Sequence, residues 1–505
     1  MPYGVEMSLS LAAIAAFSVF SLLGGSAAER CAMLPDRLND ADIMIDDAAP
    51  VTAAGDLPAY CRVRGTLRPN IGFEMRLPLK GWNRKYFQSG CGGFCGKIVA
   101  DSDGRSNTIN HALRRGYAAM TTDGGHQAAH IGVAEWAYEN DEAEKQYADA
   151  SIARAYEAGQ VMAKALYGKR PRYSYFSGCS NGGRMAAIAA QRYPDLFDGI
   201  ISGCPALTLS RAGGVFGAWV LQANQGPDGA PVLDEAFAAK IPLLERAVLE
   251  QCDGIDGAHD GLISAPFECQ VEISRIPICA GRSSVDCLTT DEAAVVEKWW
   301  RGPHNSVGEK LFSGMPPGGE RFWPVWYLGS AQSPRVGTML ADGYLKYLGF
   351  EVDDAQRQAA DFNFDRDIGL LEGKGALFDA TDPDLTAFRD AGGKMIMWHG
   401  LADPLVVPYQ SVEYYQSVAA RMGGDRKVQE FFRLFLAPGL GHCWEAPGAG
   451  PDDFDPLSAL EKWVEARTPP EEILSIPSSA QVGSVAMRMV YRPYPAMAEA
   501  REDTF

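Results

Sequence analysis

Gly178-Cys179-Ser180-Asn181-Gly182 spells G-x-S-x-G between the apolar run "YSYF" and the alanine-rich stretch "NGGRMAAIAAQRY". Strand, tight turn and helix in that order suit a serine nucleophile. Small flanking residues let the turn lift the hydroxyl above a sheet, and the helix starting there offers amide N–H groups and a positive dipole end to an oxyanion. The chemistry is acyl transfer, which needs a base and an orienting acid in the chain order Ser, Asp, His. Downstream of Ser180 stand His259, His304, His399 and His442. His259 sits in an Asp-Gly loop, His304 in an irregular stretch, and His399 closes a strand, where a structural role is expected. His442, in "APGLGHCW", follows the last strand and is the expected base. Asp403, in "LADPLVVP" after the strand "KMIMWHG", is the expected acid, with a helix N-terminal cap as its alternative role.

Cys179 precedes the serine and Cys443 follows the histidine. A disulfide holds its Cα atoms about 5–6 Å apart, so a Cys179–Cys443 bridge would clamp nucleophile and base together. Asn181, next after the serine, supplies one oxyanion amide. The glycine-rich loop "QSGCGGFCG", residues 88–96, is the place for a second. In "TTDGGH", Asp123 and His126 could line the site, although holding the loop together is the simpler role. "CDGIDGAHDGLI" sets Asp253, Asp256 and Asp260 among glycines, hard oxygen donors on a tight turn that suit calcium. A plain Asp-Gly turn cluster is the alternative.

These residues need a scaffold, and the pattern supplies one. "YCRVRGTLRP" and "GFEMRLPL" alternate as strands, and "RKYFQSG" and "GYAAMTTDGG" are apolar runs closed by glycine. Residues 141–167 carry helical spacing throughout, predicting one long helix. "RYSYFSG" and "FDGIISGCP" flank the alanine-rich helix as buried strands. Such alternation predicts an α/β fold with a mainly parallel sheet covered on both faces. From 207 to 384 the regularity breaks into loops, short helices, cysteines and aromatics. It returns with "GGKMIMWHG", the helix "VEYYQSVAARMG" and the strand of "VQEFFRLFLAPG". The expected division is therefore a catalytic domain of 29–206 and 385–505 with a lid inserted at 207–384, after an export signal at 1–28.

That signal is read from "LSLAAIAAFSVFSLLGG" followed by small residues, although Glu6 stands where a positive charge is usual; a buried or lipid-inserted helix is the alternative. Eleven cysteines without paired CxxC ligand motifs favour disulfides in an oxidising compartment, and an odd number leaves at least one thiol. The net charge of −18, from 46 basic and 64 acidic residues, argues against nucleic acid and anionic lipid as partners. The 47% apolar content supports a sizeable core. Aromatic residues crowd the inserted segment, among them Phe322, Trp323, Trp326, Tyr327, Tyr344, Tyr347 and Phe350. They favour an aromatic acyl group, with more than half expected to be lid core.

Together "LPAYCRVRG", "TTDGGH", "SYFSGCSNGGR", "CDGIDGAHDGLI", "DLTAFRDAGGKMIMWHGLADP" and "RLFLAPGLGHCW" resemble the tannase and feruloyl esterase family of secreted α/β-hydrolases, over nearly the whole mature chain. The resemblance implies an α/β-hydrolase fold with a large inserted lid, with Ser180 as nucleophile, Asp403 as acid and His442 as base. It implies oxyanion donation by the amides of Gly93 and Asn181. A structural calcium in the lid would be held by Asp253, Asp256 and Asp260 with the carbonyls of Ala258 and Leu262. It further implies the pairs Cys31–Cys61, Cys252–Cys269 and Cys279–Cys287, while Cys91, Cys95 and Cys204 remain; Cys91 with Cys95 is the guess. One departure stands out. A terephthalate-monoester hydrolase of the family offers a lid arginine to its substrate, whereas "TMLADGYLKYL" has Asp342 near that point and only Arg335 nearby. The expected protein is a secreted or periplasmic serine carboxylesterase free of the membrane after signal cleavage. It would act as a feruloyl esterase on a small aromatic ester or a phenolic ester of the plant cell wall. The alternatives are a tannase or other aryl-ester hydrolase, or a catalytically silent binding module.

Overall fold

The computed structural model describes residues 25–102, 104–330, 335–443, 450–477 and 488–501. The expected export signal lies almost wholly outside them. Nine strands form one sheet: β1 (Ile43–Val51), β2 (Tyr60–Leu67), β3 (Ile71–Pro78), β4 (Lys85–Ser89), β5 (Ala118–Thr122), β6 (Tyr173–Cys179), β7 (Gly199–Gly203), β8 (Lys394–Gly400) and β9 (Phe432–Ala437). Their order is β1-β2-β3-β5-β4-β6-β7-β8-β9. The pairs from β5 to β9 are parallel and those from β1 to β5 antiparallel. A buried run such as β7, "GIISG", has no polar face because helices cover both sides of a parallel sheet. This is the α/β-hydrolase arrangement.

The expected helix over 141–167 is continuous but not uniform: a single π-helical segment, Gln146–Ala150, separates Asp141–Lys145 from α1 (Ser151–Tyr167). After β6 runs α2 (Asn181–Arg192), buried along almost its whole length, which its alanines and glycines permit. β7 and β8 are direct parallel neighbours although residues 204–393 lie between them. Among the described residues that insertion contains helices, including α3 (Ile241–Cys252), α4 (Thr290–Arg301) and α5 (Val336–Tyr347), and no strand beyond isolated bridges. It buries its own core around Leu244, Val296, Trp299, Phe322 and Trp323, which packs on Ala402 and Val407 of the loop after β8. α6 (Tyr409–Met422) and α7 (Pro456–Ala466) complete the helical cover, and a small sheet of Ile473–Ser475, Arg488–Tyr491 and Glu499–Arg501 lies near the C-terminus. The carboxyl ends of the parallel strands thus open toward the insertion, where this class of fold binds ligands.

Candidate active site

Ser180 sits between β6 and α2 with φ 64° and ψ −125°, a backbone that a non-glycine residue adopts only under constraint. Its neighbours must be small. A Cβ on Gly178 would lie 2.4 Å from Gly182 backbone, and one on Gly182 would lie 2.1 Å from Asn107 Oδ1. The Ser180 amide donates to Gly203 O at 3.0 Å, and the Ser180 carbonyl accepts from Arg184 and Ala206 at 3.0 and 3.2 Å. Asn107 braces the turn from below, its side chain bonding both the amide and the carbonyl of Cys179 at 3.0 Å.

Gly93 and Asn181 line the same narrow cavity as Ser180, and neither backbone amide has an acceptor among the described residues. Gly93 has φ 55°, and a Cβ there would meet Ile131 O at 2.5 Å. The loop carrying it is held by a Cys91–Cys95 disulfide and by the Tyr147 hydroxyl, which donates to Gly93 O at 3.2 Å. The Asn181 side chain donates to Cys91 O at 3.1 Å and accepts from Arg184 Nε at 2.7 Å. That leaves its backbone amide as the group able to serve a ligand. Arg184 is fully buried and also donates to the carbonyls of Ala148, Tyr147 and Phe378, tying α2, the π-helical segment and the insertion together.

Asp403 and His442 meet through a hydrogen bond of 2.6 Å from Nδ1 to Oδ2, with Asp403 fully buried and His442 nearly so. The amides of Leu405 and Val406 donate to Oδ1 at 2.9 Å. Burial alone would push the carboxyl upward; His442 and His399 outweigh it and bring it down to about 2. The carboxylate fixes the imidazole with Nδ1 as donor, leaving Nε2 as the proton acceptor. Trp326 packs edge-on against this ring, with centroids 5.3 Å apart. Cys179 and Cys443 are bonded, with Cα atoms 6.1 Å apart, so the serine and histidine each adjoin one end of the bridge. The other pairs are Cys31–Cys61, Cys252–Cys269 and Cys279–Cys287. Cys204 is a buried thiol, its sulfur within 4.8 Å of those of Cys179 and Cys443.

Asp123 and His126 lie outside the cavity lining. Asp123 accepts from the amides of Gly72 and Gly125, with its carboxyl pushed up by burial to about 7. His126, driven down to about 4 by burial, bonds Phe94 O and stacks on Trp136. The His126 side chain thereby braces the loop that carries Gly93, and the Asp123 backbone carbonyl accepts from Gly96 of that loop at 2.8 Å.

In the insertion, Asp253, Asp256 and Asp260 accept from the amides of Gly261, Ala258 and Leu262, each at 3.0 Å. Burial raises the Asp260 carboxyl, and the charges of Asp256 and Asp253 raise it further. The carbonyls of Ala258 and Leu262 accept no hydrogen bond from a described residue. Hard oxygens in mutual repulsion beside unused carbonyls fit a divalent cation such as calcium. The three carboxylates do not come together within 4.8 Å of one another, and His259 Nδ1 lies 3.9 Å from Asp253 Oδ2.

The cavity beside Ser180 has a volume of about 70 Å³ and takes Phe94, Phe216, Tyr327, Leu340, Tyr344, Leu405 and Val406 into its walls. Among the described residues, no positively charged one lines it. Of the seven aromatics singled out in the insertion only Tyr327 and Tyr344 do so, while Phe322 and Trp323 are insertion core. The Tyr344 hydroxyl is buried without a hydrogen-bond partner among the described residues. Arg335 instead lines an outer cleft of about 450 Å³, with Asp342 and Lys346 paired to each other there at 2.6 Å. Asn107, Arg184 and Tyr147 escaped the sequence reading. Arg184 alone had a visible signal, a charged residue on the apolar face of an alanine helix.

The family model described as "Tannase and feruloyl esterase" matches residues 52–504. An uncharacterised esterase of Xanthomonas campestris pv. campestris is 35% identical over 470 residues, 84% of this chain and 78% of that protein. The mono(2-hydroxyethyl) terephthalate hydrolase of Piscinibacter sakaiensis is 32% identical over 516 residues, 90% of this chain and 84% of that protein. In fold, the crystal structure of feruloyl esterase B from Aspergillus oryzae superposes with a TM-score of 0.80 at 24% identity, covering 94% of this chain and all of that one. A silent binding module is left without support, and the chain belongs to the tannase and feruloyl esterase family as a carboxylic ester hydrolase.

Proposed function

We propose that this esterase cleaves esters of hydroxycinnamic acids, a feruloyl esterase activity, with Ser180 as nucleophile, His442 as base and Asp403 as acid. The observation that carries the reading is the apolar, aromatic-walled slot that holds Ser180 together with two backbone amides lacking acceptors. Nε2 of His442 takes the Ser180 proton as the oxygen attacks the ester carbonyl, and Asp403 stabilises the imidazolium. The amides of Gly93 and Asn181 receive the oxyanion. The imidazolium then protonates the leaving alcohol, and water cleaves the acyl-enzyme by the same steps. A planar phenolic acid suits such walls, and the buried Tyr344 hydroxyl offers a partner for one ring substituent. Gallate, with three hydroxyls, would leave more polar groups unpaired in so apolar a slot. A terephthalate carboxylate finds no cationic residue among the lining residues.

The test compares kcat/KM on methyl ferulate, methyl gallate and mono(2-hydroxyethyl) terephthalate. Ferulate is expected to lead each rival by about tenfold or more, the scale on which pocket contacts discriminate. A lead for gallate would instead make the chain a tannase.

We further propose that Asp253, Asp256 and Asp260, with the carbonyls of Ala258 and Leu262, hold a structural calcium. The mutual repulsion of the carboxylates and the unused carbonyls support it. Calcium at about 100 times its Kd would stabilise the fold by about 2.7 kcal/mol, so chelation should lower Tm by about 3–8 °C in differential scanning fluorimetry. An unchanged Tm with and without chelator would remove the assignment. Export also belongs to this proposal: five disulfides among the described residues call for an oxidising compartment. No helix of the described residues is long and apolar enough to cross a membrane.

A further inference from the structure

His399 closes β8 and is completely buried, with both ring nitrogens engaged. Nε2 lies 2.6 Å from Val406 O and 3.4 Å from Asp403 Oδ2. Both neighbours are acceptors, so Nε2 carries a proton. Nδ1 lies 2.7 Å from the hydroxyl of Ser411, on the first turn of α6. Val406 is held twice: its amide donates to Asp403 Oδ1 and its carbonyl accepts a hydrogen bond from His399 Nε2–H. The end of β8, the turn 403–406 and the start of α6 are thereby locked around one carboxylate.

We infer that His399 is a positioning residue for ester hydrolysis, its Nε2–H fixing the Val406 carbonyl and the Asp403 carboxylate so that Oδ2 is presented to His442. The inference rests on the roles proposed above for Asp403 and His442. A histidine closing a strand would satisfy its hydrogen bonds with backbone and water equally well; contact with the acid is what a purely structural role does not require. The groups facing Asp403 are His442 from the loop after β9, His399 from β8, the Tyr327 hydroxyl from the insertion and the Cys204 thiol after β7. Of the two histidines, only His399 also holds the Asp403 turn through Val406.

Removing this donor has a definite sign. A carboxylate that loses an N–H neighbour becomes more basic and holds the His442 imidazolium more tightly, so more acid remains bound at a given pH. In His399→Leu the acid limb of the kcat/KM profile should move to higher pH by about half a unit or more. The plateau should fall about 10–100-fold, the scale on which misplacing a catalytic group costs rate. The far-downfield proton resonance of the His442–Asp403 hydrogen bond should shift as well. His399→Gln, whose amide nitrogen can occupy the Nε2 position, should restore most of the rate and the wild-type limb. Ser411→Ala, which frees the imidazole to turn, should move the limb the same way by less, and serves if the leucine variant fails to fold.

A folded leucine variant with kcat/KM within about twofold of wild type and an unmoved limb would overturn the inference, because the expected loss is at least tenfold. So would a glutamine variant as deficient as leucine, and so would unchanged profiles in both the glutamine and alanine variants where leucine does not fold. Ser180→Ala in the same assay separates the two readings. If it stays active, the site assignment fails. If it is inactive while the His399 and Ser411 variants behave as wild type, only the role of His399 fails.

Discussion

Ser180→Ala is expected to lower kcat on methyl ferulate by about 10⁴–10⁶-fold while leaving the fold intact, the range set by removal of a serine nucleophile elsewhere. The residual rate would come from the Gly93 and Asn181 amides and from binding in the slot, which do not need the hydroxyl. Alanine tolerates φ 64° no worse than serine, and the bonds at this turn run through the backbone amide and carbonyl of residue 180. Near-UV circular dichroism and Tm should therefore stay at wild-type values. KM should change little if the side chain acts in the transition state and not in binding. Turnover within about tenfold of wild type would place the chemistry elsewhere, since binding and oxyanion groups alone fall short of that.

Much of this arrangement was legible because sheet strands and candidate catalytic side chains leave different marks. β4 to β9 are short apolar runs ending in glycine or small residues, the signature of strands buried on both faces. β1, "IMIDDAAPV", was invisible: it is a half-exposed edge strand with an irregular register between Ile45 and Asp47, so no alternation survives. The strands Ile473–Ser475 and Glu499–Arg501 are too short to show a period. The π-helical segment at Gln146–Ala150 was equally hidden, because one wide turn barely disturbs helical spacing over 141–167. It nevertheless matters, since Tyr147 on that segment supports Gly93.

Ser180, Asp403 and His442 could be picked out because each follows a strand in a chemically apt setting, and His442 is one of only seven histidines in the sequence. Their supports could not. Asn107 acts on Cys179 across 72 residues and Arg184 on Phe378 across 194, separations that no local pattern encodes. His399 was read as structural from its place at a strand end, and only the geometry brings it within 3.4 Å of Asp403. Arg335 shows the opposite case. Near in sequence to the position of interest, it faces an outer cleft because α5 separates that cleft from the slot: Thr338, Met339 and Asp342 line one, Gly337, Leu340 and Ala341 the other.

Breaking the Cys179–Cys443 bridge is expected to produce the largest loss of stability of any change to the site. The two cysteines are 264 residues apart, and the chain-entropy relation gives about 5 kcal/mol for closing such a loop. The variant to make is Cys179→Ser with Cys443→Ser. A single replacement would leave one sulfur within 4.8 Å of Cys204, where a substitute disulfide could form and mask the effect. A chain of this length with five disulfides is not expected to unfold in two states, so the half-life of activity on heating is the sounder measure. It should fall by well over tenfold relative to wild type if even about 2 kcal/mol of the constraint raises the barrier to inactivation. Below the inactivation temperature the double variant should also lose part of kcat, because Cys443, with φ 59°, fixes the loop that presents His442. A double variant that keeps its half-life would overturn this expectation, whereas one that loses half-life but keeps kcat would mean that the Asp403–His442 hydrogen bond and the packing of Trp326 suffice to hold His442. The bridge would then be a constraint on the unfolded chain with no share in the geometry of the site.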